Sequence, residues 1–218
     1  MNYDIDFDRH KRIGFPEVVF GASKDVPTLK NIISKMYDKH KKVLITKLQK
    51  EKYEELKSLF PNSFYDEVSG VWQVGTIKKS RKRSPEVVIL SGGSSDEFVV
   101  NEAYYTLLYL GISAKKLIDV GVAGVHRLMD KTAEIKKAKV LIVCAGFEGA
   151  LPTVVSGLFP QPIIGVPVSV GYGVAKGGFT ALNSMLASCG NGLAVTNIDN
   201  GYGAAISAFR ILQGMTKK

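Results

Sequence analysis

From Glu86 onward the chain alternates two kinds of apolar pattern. Short runs that are apolar throughout, "VVILS", "KLIDV", "VLIVCA", "PIIGVPV" and "LAVTNI", are separated by longer segments with apolar residues at helical spacing. Those segments are "DEFVVNEAYYTLLYLG", "GVHRLMDKTAEIKKA", "EGALPTVVSGLF", "FTALNSMLASC" and "GAAISAFRILQG". Strands without a polar face are buried on both sides, and helices between them make the crossovers of a parallel sheet. The pattern predicts five βα units in a three-layer α/β/α, doubly wound parallel sheet.

The first third has a different rhythm and predicts a smaller α/β unit over residues 1–80. "GFPEVVFG" (14–21) reads as a strand between glycine turns. "DVPTLKNIISKMYDKH" has a capping Asp25, a first-turn proline and apolar Leu29, Ile32, Ile33 and Met36, which is a helix with its start signal. "KVLIT" is a short strand, "KEKYEELKSLF" a second amphipathic helix and "GVWQVGTI" (70–77) another strand. The basic "KKSRKRSP" that follows reads as a linker.

Composition narrows the class. The chain has 218 residues, 45% hydrophobic and 22% charged, as in folded soluble proteins. Its two cysteines, Cys144 and Cys189, form no disulfide framework and suit a reducing cytoplasm. No apolar leader follows Met1, and the apolar stretch from Val140 is broken by glycines and prolines, so no membrane span is expected. Three histidines and two separated cysteines build no local zinc cluster. Of the net charge of +9, residues 1–85 carry +7. That suits an anionic partner, a phosphorylated small molecule or nucleic acid, and equally a solvated lysine-rich surface. Without a nucleic-acid motif or an aromatic ladder among the basic residues, nucleic acid is the weaker reading.

Candidate chemistry lies where each strand meets the next helix. Between Val140 and Asp199 the charged residues are Glu148, Lys176 and Asp199. In doubly wound sheets ligands bind beyond the carboxyl ends of the strands, where this chain has "SGGSSDE", "GVAGVHR", "GFEGA", "SVGYGVAKGG" and "NIDNGYGAA". The three charges are therefore mouth residues. Ser94, Ser95 and Asp96 offer hydroxyls and a helix start to a phosphate, or simply cap the helix. Glu148, flanked by Gly146, Gly149 and Ala150, has cleared space and could move a proton from a low-dielectric pocket, or merely suit the helix dipole. His126–Arg127 borders the same mouth. Cys189 ends its helix before Gly190, at the rim or simply packed there.

Taken in order, "GGSSD", "HR", "AGFEGALP", "PIIGVPV" and "NIDNGYGAA" resemble the PurE-type aminoimidazole ribonucleotide carboxylases and mutases. The third loop has glutamate where that family has a histidine loop, a pattern similar to the LarB family of nickel-pincer nucleotide cofactor synthesis. The likeness also runs through "DRHKRIGFPEVVFG" (8–21), "DVGVAGVHR" (119–127), "VPVSVGYG" (166–173) and "SMLASC" (184–189).

The resemblance implies a PurE-like catalytic domain over 86–216 that carboxylates the pyridinium ring of nicotinic acid adenine dinucleotide with CO2 and hydrolyses its phosphoanhydride. The products would be the pyridinium biscarboxylate mononucleotide and AMP. It implies that Cys189 is the nucleophile and Glu148 the proton carrier, with Asp199 counted as catalytic. Ser94, Ser95, Asp96, His126 and Arg127 would hold the ribose phosphate. Lys176, Asn197 and Asn200 would line the mouth beside Gly146, Gly149 and Ala150. Arg9, Arg12 and Lys24 of the N-terminal unit would receive the AMP half. Lys47 and the "ASKD" loop depart from the family pattern in that unit. The resemblance further implies a homo-oligomer, an octamer, with "GLFPQP" and "EAYYTLLYL" suited to subunit contacts or equally to the core. Magnesium is expected for anhydride cleavage, with no ligands assigned. The competing functions are PurE-type carboxylation of an aminoimidazole ribonucleotide and a non-catalytic nucleotide or RNA-binding module.

Overall fold

The structure is a computed structural model and describes residues 3–77 and 84–216; the basic segment read as a linker lies, from 78 to 83, outside the described residues. The chain divides into two compact units, Met1–Lys78 and Lys79–Lys218.

The first unit begins with a five-residue helix α1 (Arg9–Ile13), none of whose residues is buried. Strand β1 (Val19–Phe20) is much shorter than "GFPEVVFG" suggests. Helix α2 (Val26–His40) starts where expected, with the Asp25 side chain accepting from Thr28 N at 2.8 Å and proline in the first turn. Strand β2 (Lys42–Thr46) follows, then α3 (Lys50–Leu56), which tightens into a 3-10 turn over Lys57–Leu59. Strands β3 (Ser63–Asp66) and β4 (Val71–Gly75) pair antiparallel and complete a sheet of order β1-β2-β4-β3. "SFYD" lacks a run of buried positions, so β3 gives little apolar signal as an edge strand. The core gathers Leu29, Ile33, Met36, Val43, Ile45, Trp72 and Val74.

The second unit is the expected doubly wound sheet. Its elements are β5 (Val87–Ser91), α4 (Glu97–Tyr109), β6 (Ala114–Leu117), α5 (Val125–Met129), α6 (Thr132–Ile135) and β7 (Val140–Ala145). They continue as α7 (Leu151–Leu158), β8 (Ile163–Pro167), α8 (Phe179–Leu186), β9 (Leu193–Val195) and α9 (Gly201–Thr216). All five strands are parallel, in the order β6-β5-β7-β8-β9, so the order reverses beside β5. Alternation sends Val88, Leu90, Leu141 and Val143 to the face covered by Leu128, Ile135, Val155 and Met185. On the other face α4 and α9 pack on each other and on the sheet. The aromatic "EAYYTLLYL" helix therefore spends Ala103, Leu107 and Tyr109 on the core of its own chain, and Phe159 of "GLFPQP" is buried likewise.

Three elements differ from the pattern for local reasons. "GVHRLMDKTAEIKKA" forms two short helices, because the Thr132 hydroxyl donates to the Met129 carbonyl at 2.7 Å and competes with the helix ladder. "KLIDV" ends as strand at Leu117, before Asp119 turns the chain at φ 63°. "LAVTNI" stops at Val195; beyond it the Asn197 side chain accepts from Ile198 N at 2.9 Å and makes a turn.

Candidate active site

A cavity of about 280 Å³ opens at the carboxyl ends of β5, β6 and β7, where the strand order reverses. The loop after β5 gives Gly92, Gly93, Ser95 and Asp96, the loop after β6 gives Gly121, and helix α5 gives Arg127. The loop after β7 gives Gly146, Phe147, Glu148 and Ala150, and the loop after β8 gives Val170. Six residues expected at the site thus converge: Ser95, Asp96, Arg127, Gly146, Glu148 and Ala150.

The rim is held mainly by backbone. Ser91, fully buried, donates through Oγ to the Gly93 carbonyl at 2.9 Å and accepts from Asp119 N at 3.3 Å, joining the first two loops. Gly121 stands so close to the Gly92 carbonyl, and Gly146 to that of Val170, that neither position has room for a β-carbon. Asp119 pairs with Arg127, whose Nε lies 2.7 Å from where a Cβ on Gly124 would sit, so Gly124 leaves the slot for the guanidinium.

Asp96 is 3% exposed and does not cap the helix after it; its carboxylate reaches back to Gly93 N at 3.0 Å. Burial pushes this carboxyl above the usual range; the Gly93, Gly92 and Gly146 amides oppose the shift and the Asp199 charge adds to it. Asp199 does not line the cavity. At φ 55°, its carboxylate accepts from Ser169 N at 2.8 Å and its own N–H donates to the Pro167 carbonyl at 2.9 Å, which ties the loops after β8 and β9 together. That is a positioning geometry.

Glu148 lines the mouth but is exposed, so the low-dielectric surroundings expected for it are not supplied by this chain. Its neighbouring glycines serve packing and do not clear space around it: Gly149, at φ 65°, abuts α8, where a Cβ would meet the Ala181 Cα at 2.8 Å. Phe147 adopts φ 52°, which for a bulky side chain costs of order 1–3 kcal/mol. Its N–H donates to the Val170 carbonyl at 2.9 Å, and its ring meets that of Tyr172 edge to face at 5.5 Å.

Other expected residues fall outside the cavity. Ser94, His126, Lys176 and Asn197 are exposed and do not line it. Asn200 accepts from Gly203 N at 2.7 Å and so caps α9. Cys189 is exposed just beyond α8, before the amino end of β9, and is not a wall of this cavity. A helix leaves the carboxyl rim at its start and approaches the opposite edge at its end, so "ALNSMLASC" carries the thiol away from Glu148. Cys144 is fully buried in β7 and burial pushes its thiol well up.

The N-terminal cations do not converge on a phosphate. Arg12 is bidentate to Asp6, at 3.0 and 2.5 Å, in a recess that also presents Asp4 and Asp8. Arg9 lies 5.7 Å over the Phe15 ring, and Lys24 donates to the Phe20 carbonyl at 3.2 Å. The carboxylates around Arg12 do not favour an anion in that recess, and Arg9 and Lys24 do not line it. Nor do the residues form a protein-held magnesium site: Asp96 and Asp199 are engaged by backbone amides, and among the described residues no three His, Cys, Asp or Glu side chains converge.

Sequence reasoning missed Ser91, Asp119, Gly121, Phe147 and Val170. All five stand inside the quoted segments, Ser91 in "SGGSSDE", Asp119 in "DVGVAGVHR", Gly121 in "GVAGVHR", Phe147 in "GFEGA" and Val170 in "SVGYGVAKGG", but their residue types carry no signal of a role in the site.

Fold and cavity define a doubly wound α/β protein with a candidate site at the switch point of its parallel sheet. Comparison with known proteins agrees: residues 2–76 match the LarB/PurE-like N-terminal domain and residues 86–218 the AIR carboxylase domain. An uncharacterized protein of Methanocaldococcus jannaschii is 36% identical over 98% of this chain and 85% of its own length. A probable N5-carboxyaminoimidazole ribonucleotide mutase of Methanothermobacter thermautotrophicus is 32% identical over 59% of this chain, which spans 38% of that protein. A crystal structure of Treponema denticola PurE2 is similar at TM-score 0.49 and 24% identity, covering 62% of this chain and 83% of that one. The chain belongs to the AIR carboxylase family, in its LarB branch, which adds the N-terminal domain.

Proposed function

We propose that this protein carboxylates the pyridinium ring of nicotinic acid adenine dinucleotide and hydrolyses its phosphoanhydride, releasing the pyridinium biscarboxylate mononucleotide and AMP. The observation that carries this reading is the cavity wall itself. Glu148 lines the same recess as Arg127 and Ser95, so a candidate general base shares it with a cation and a hydroxyl that suit a phosphate.

An electron-poor pyridinium does not attack CO2. Addition of a thiolate forms a carbon–sulfur bond and moves an electron pair into the ring, giving a dihydropyridine whose C5 is nucleophilic. C5 then bonds to the CO2 carbon, Glu148 takes the C5 proton, and the carbon–sulfur pair leaves as thiolate, restoring the aromatic ring. The net change replaces C5–H by a carboxylate, with one proton released and no redox change. Water then splits the anhydride.

Cys189 supplies the thiolate from a neighbouring copy in a homo-oligomer. In support, the thiol is exposed outside its own chain's cavity, and Leu186, Phe179 and Val174 leave apolar surface uncovered on the same helix and the loop before it. The test is incubation with the dinucleotide and 13C-bicarbonate, followed by mass spectrometry. Labelled dicarboxylate and AMP are expected from the wild type, and no labelled dicarboxylate from Cys189→Ala or Glu148→Gln. Mixing these two inactive variants through reversible dissociation should restore part of the activity, because some sites then pair an intact thiol with an intact carboxylate. Full activity in Cys189→Ala would defeat the mechanism.

The relatives named as aminoimidazole ribonucleotide mutases favour a second reading, carboxyl transfer on that imidazole. Turnover of the imidazole substrate without turnover of the dinucleotide would establish it instead.

A further inference from the structure

We infer that Phe147 and Tyr172 form an aromatic corner that selects a cationic aromatic heterocycle at the mouth of the cavity. Phe147 lines the cavity and holds a left-handed backbone, φ 52°, that a phenylalanine adopts only when its surroundings force it. Two features impose it: the Phe147 N–H is fixed on the Val170 carbonyl, and Gly149 N closes a turn on the Gly146 carbonyl at 2.9 Å. The result throws a ring that could have packed inward out to the rim, 44% exposed. Tyr172, 79% exposed, meets it with planes at 90°. Tyr172 sits between Gly171 at φ 156° and Gly173 at φ 57°, so the main chain is built to present this side chain and not to bury it.

The two rings meet edge to face with their planes at a right angle, which leaves the outer part of their π-faces open on the rim, and Glu148, the next residue after Phe147, lines the same cavity. Flat cations lie on such faces through the ring quadrupole, and a neutral ring of the same shape gains less. The pyridinium of the proposed substrate has this chemistry, and the identity of the ring rests on that reading. The selection by charge does not: it is a property of the corner and Glu148. The two aromatic residues are thus specificity determinants of the site, separate from proton transfer by Glu148.

The test compares binding of nicotinic acid mononucleotide, whose ring is cationic, with its ring-reduced neutral counterpart, by calorimetry on the full chain. The wild type is expected to prefer the cationic ring by roughly three- to tenfold. Tyr172→Phe should keep that preference, whereas Tyr172→Leu and Phe147→Leu, which retain apolar area but lose a π-face, should each reduce it, leaving the part that Glu148 supplies. Tyr172 is exposed, so its replacement leaves the core untouched, and circular dichroism checks this. An equal preference in wild type and leucine variants would overturn the inference. So would a changed oligomeric mass in Tyr172→Leu with the preference intact, because the patch would then be a subunit contact. Failure of dinucleotide turnover with ring-charge selection preserved would remove the proposed reaction and leave the corner standing.

Discussion

Two cysteines that look alike in sequence differ in what surrounds their sulfur. Cys144 is sealed between β5 and β8, and burial raises its thiol; Cys189 is open to solvent. Iodoacetamide followed by peptide mass mapping should modify Cys189 in the native protein and Cys144 only after denaturant is added. Asp96 makes a prediction of opposite chemistry. Its carboxyl is raised chiefly by burial, so the stability it contributes is complete below the unfolded value near 3.8 and is lost as pH rises through the higher folded value. Asp96→Asn removes that titration. Urea midpoints compared across pH should therefore move in favour of the variant, relative to wild type, as pH increases from about 4 through the raised folded value.

At the scale of elements, the fold of the second unit was written plainly in the sequence, because a strand buried on both faces has no choice but to be apolar throughout. "VVILS" and "VLIVCA" coincide with β5 and β7 to the residue. Capping was equally legible at Asp25. What escaped was whatever depends on the path of a loop. Glu148 could be placed at a strand end, but its exposure could not, since that depends on what stands opposite. Cys189 could be placed at a helix end, yet the eight residues of α8 carry the chain away from the rim before it is reached. Arg9, Arg12 and Lys24 count as cations in a composition, while their partners Asp6, the Phe15 ring and the Phe20 carbonyl are set by the local chain path. The glycines carry the clearest element-scale consequence. Gly149→Ala strains φ 65° and drives a methyl against the Ala181 backbone of α8. It should destabilise the protein by about 1–3 kcal/mol, read as a lower denaturation midpoint, and separate α7 from α8 enough to lower activity as well.

At the scale of the whole molecule the chain divides into two compact units, each with hydrophobic packing of its own among the described residues. Its single tryptophan, Trp72, is fully buried in the first, where Tyr53 and Phe60 meet it edge to face at 5.5 and 5.6 Å. Tryptophan emission therefore reports the N-terminal unit alone, while far-ultraviolet circular dichroism is weighted toward the larger unit. Leu29→Ala, which opens a cavity beside β2 and β4, should shift the fluorescence midpoint by the equivalent of about 2–5 kcal/mol. Val143→Ala, in β7, should shift the dichroism midpoint and leave the emission curve in place. Coincident shifts in both signals for either variant would show that the cores unfold as one.

The joints of the rim have a practical corollary for any saturation library built on this chain. Where one loop's α-carbon rests on another loop's carbonyl, as at Gly121 and Gly146, the tolerated alphabet shrinks to a single letter. The solvent-facing Ser94 and Lys176, on the loops after β5 and β8, should accept almost any letter. A deep substitution scan would then trace the loop joints as a sharp outline of intolerance around the open mouth, and that outline could be drawn before the ligand is known.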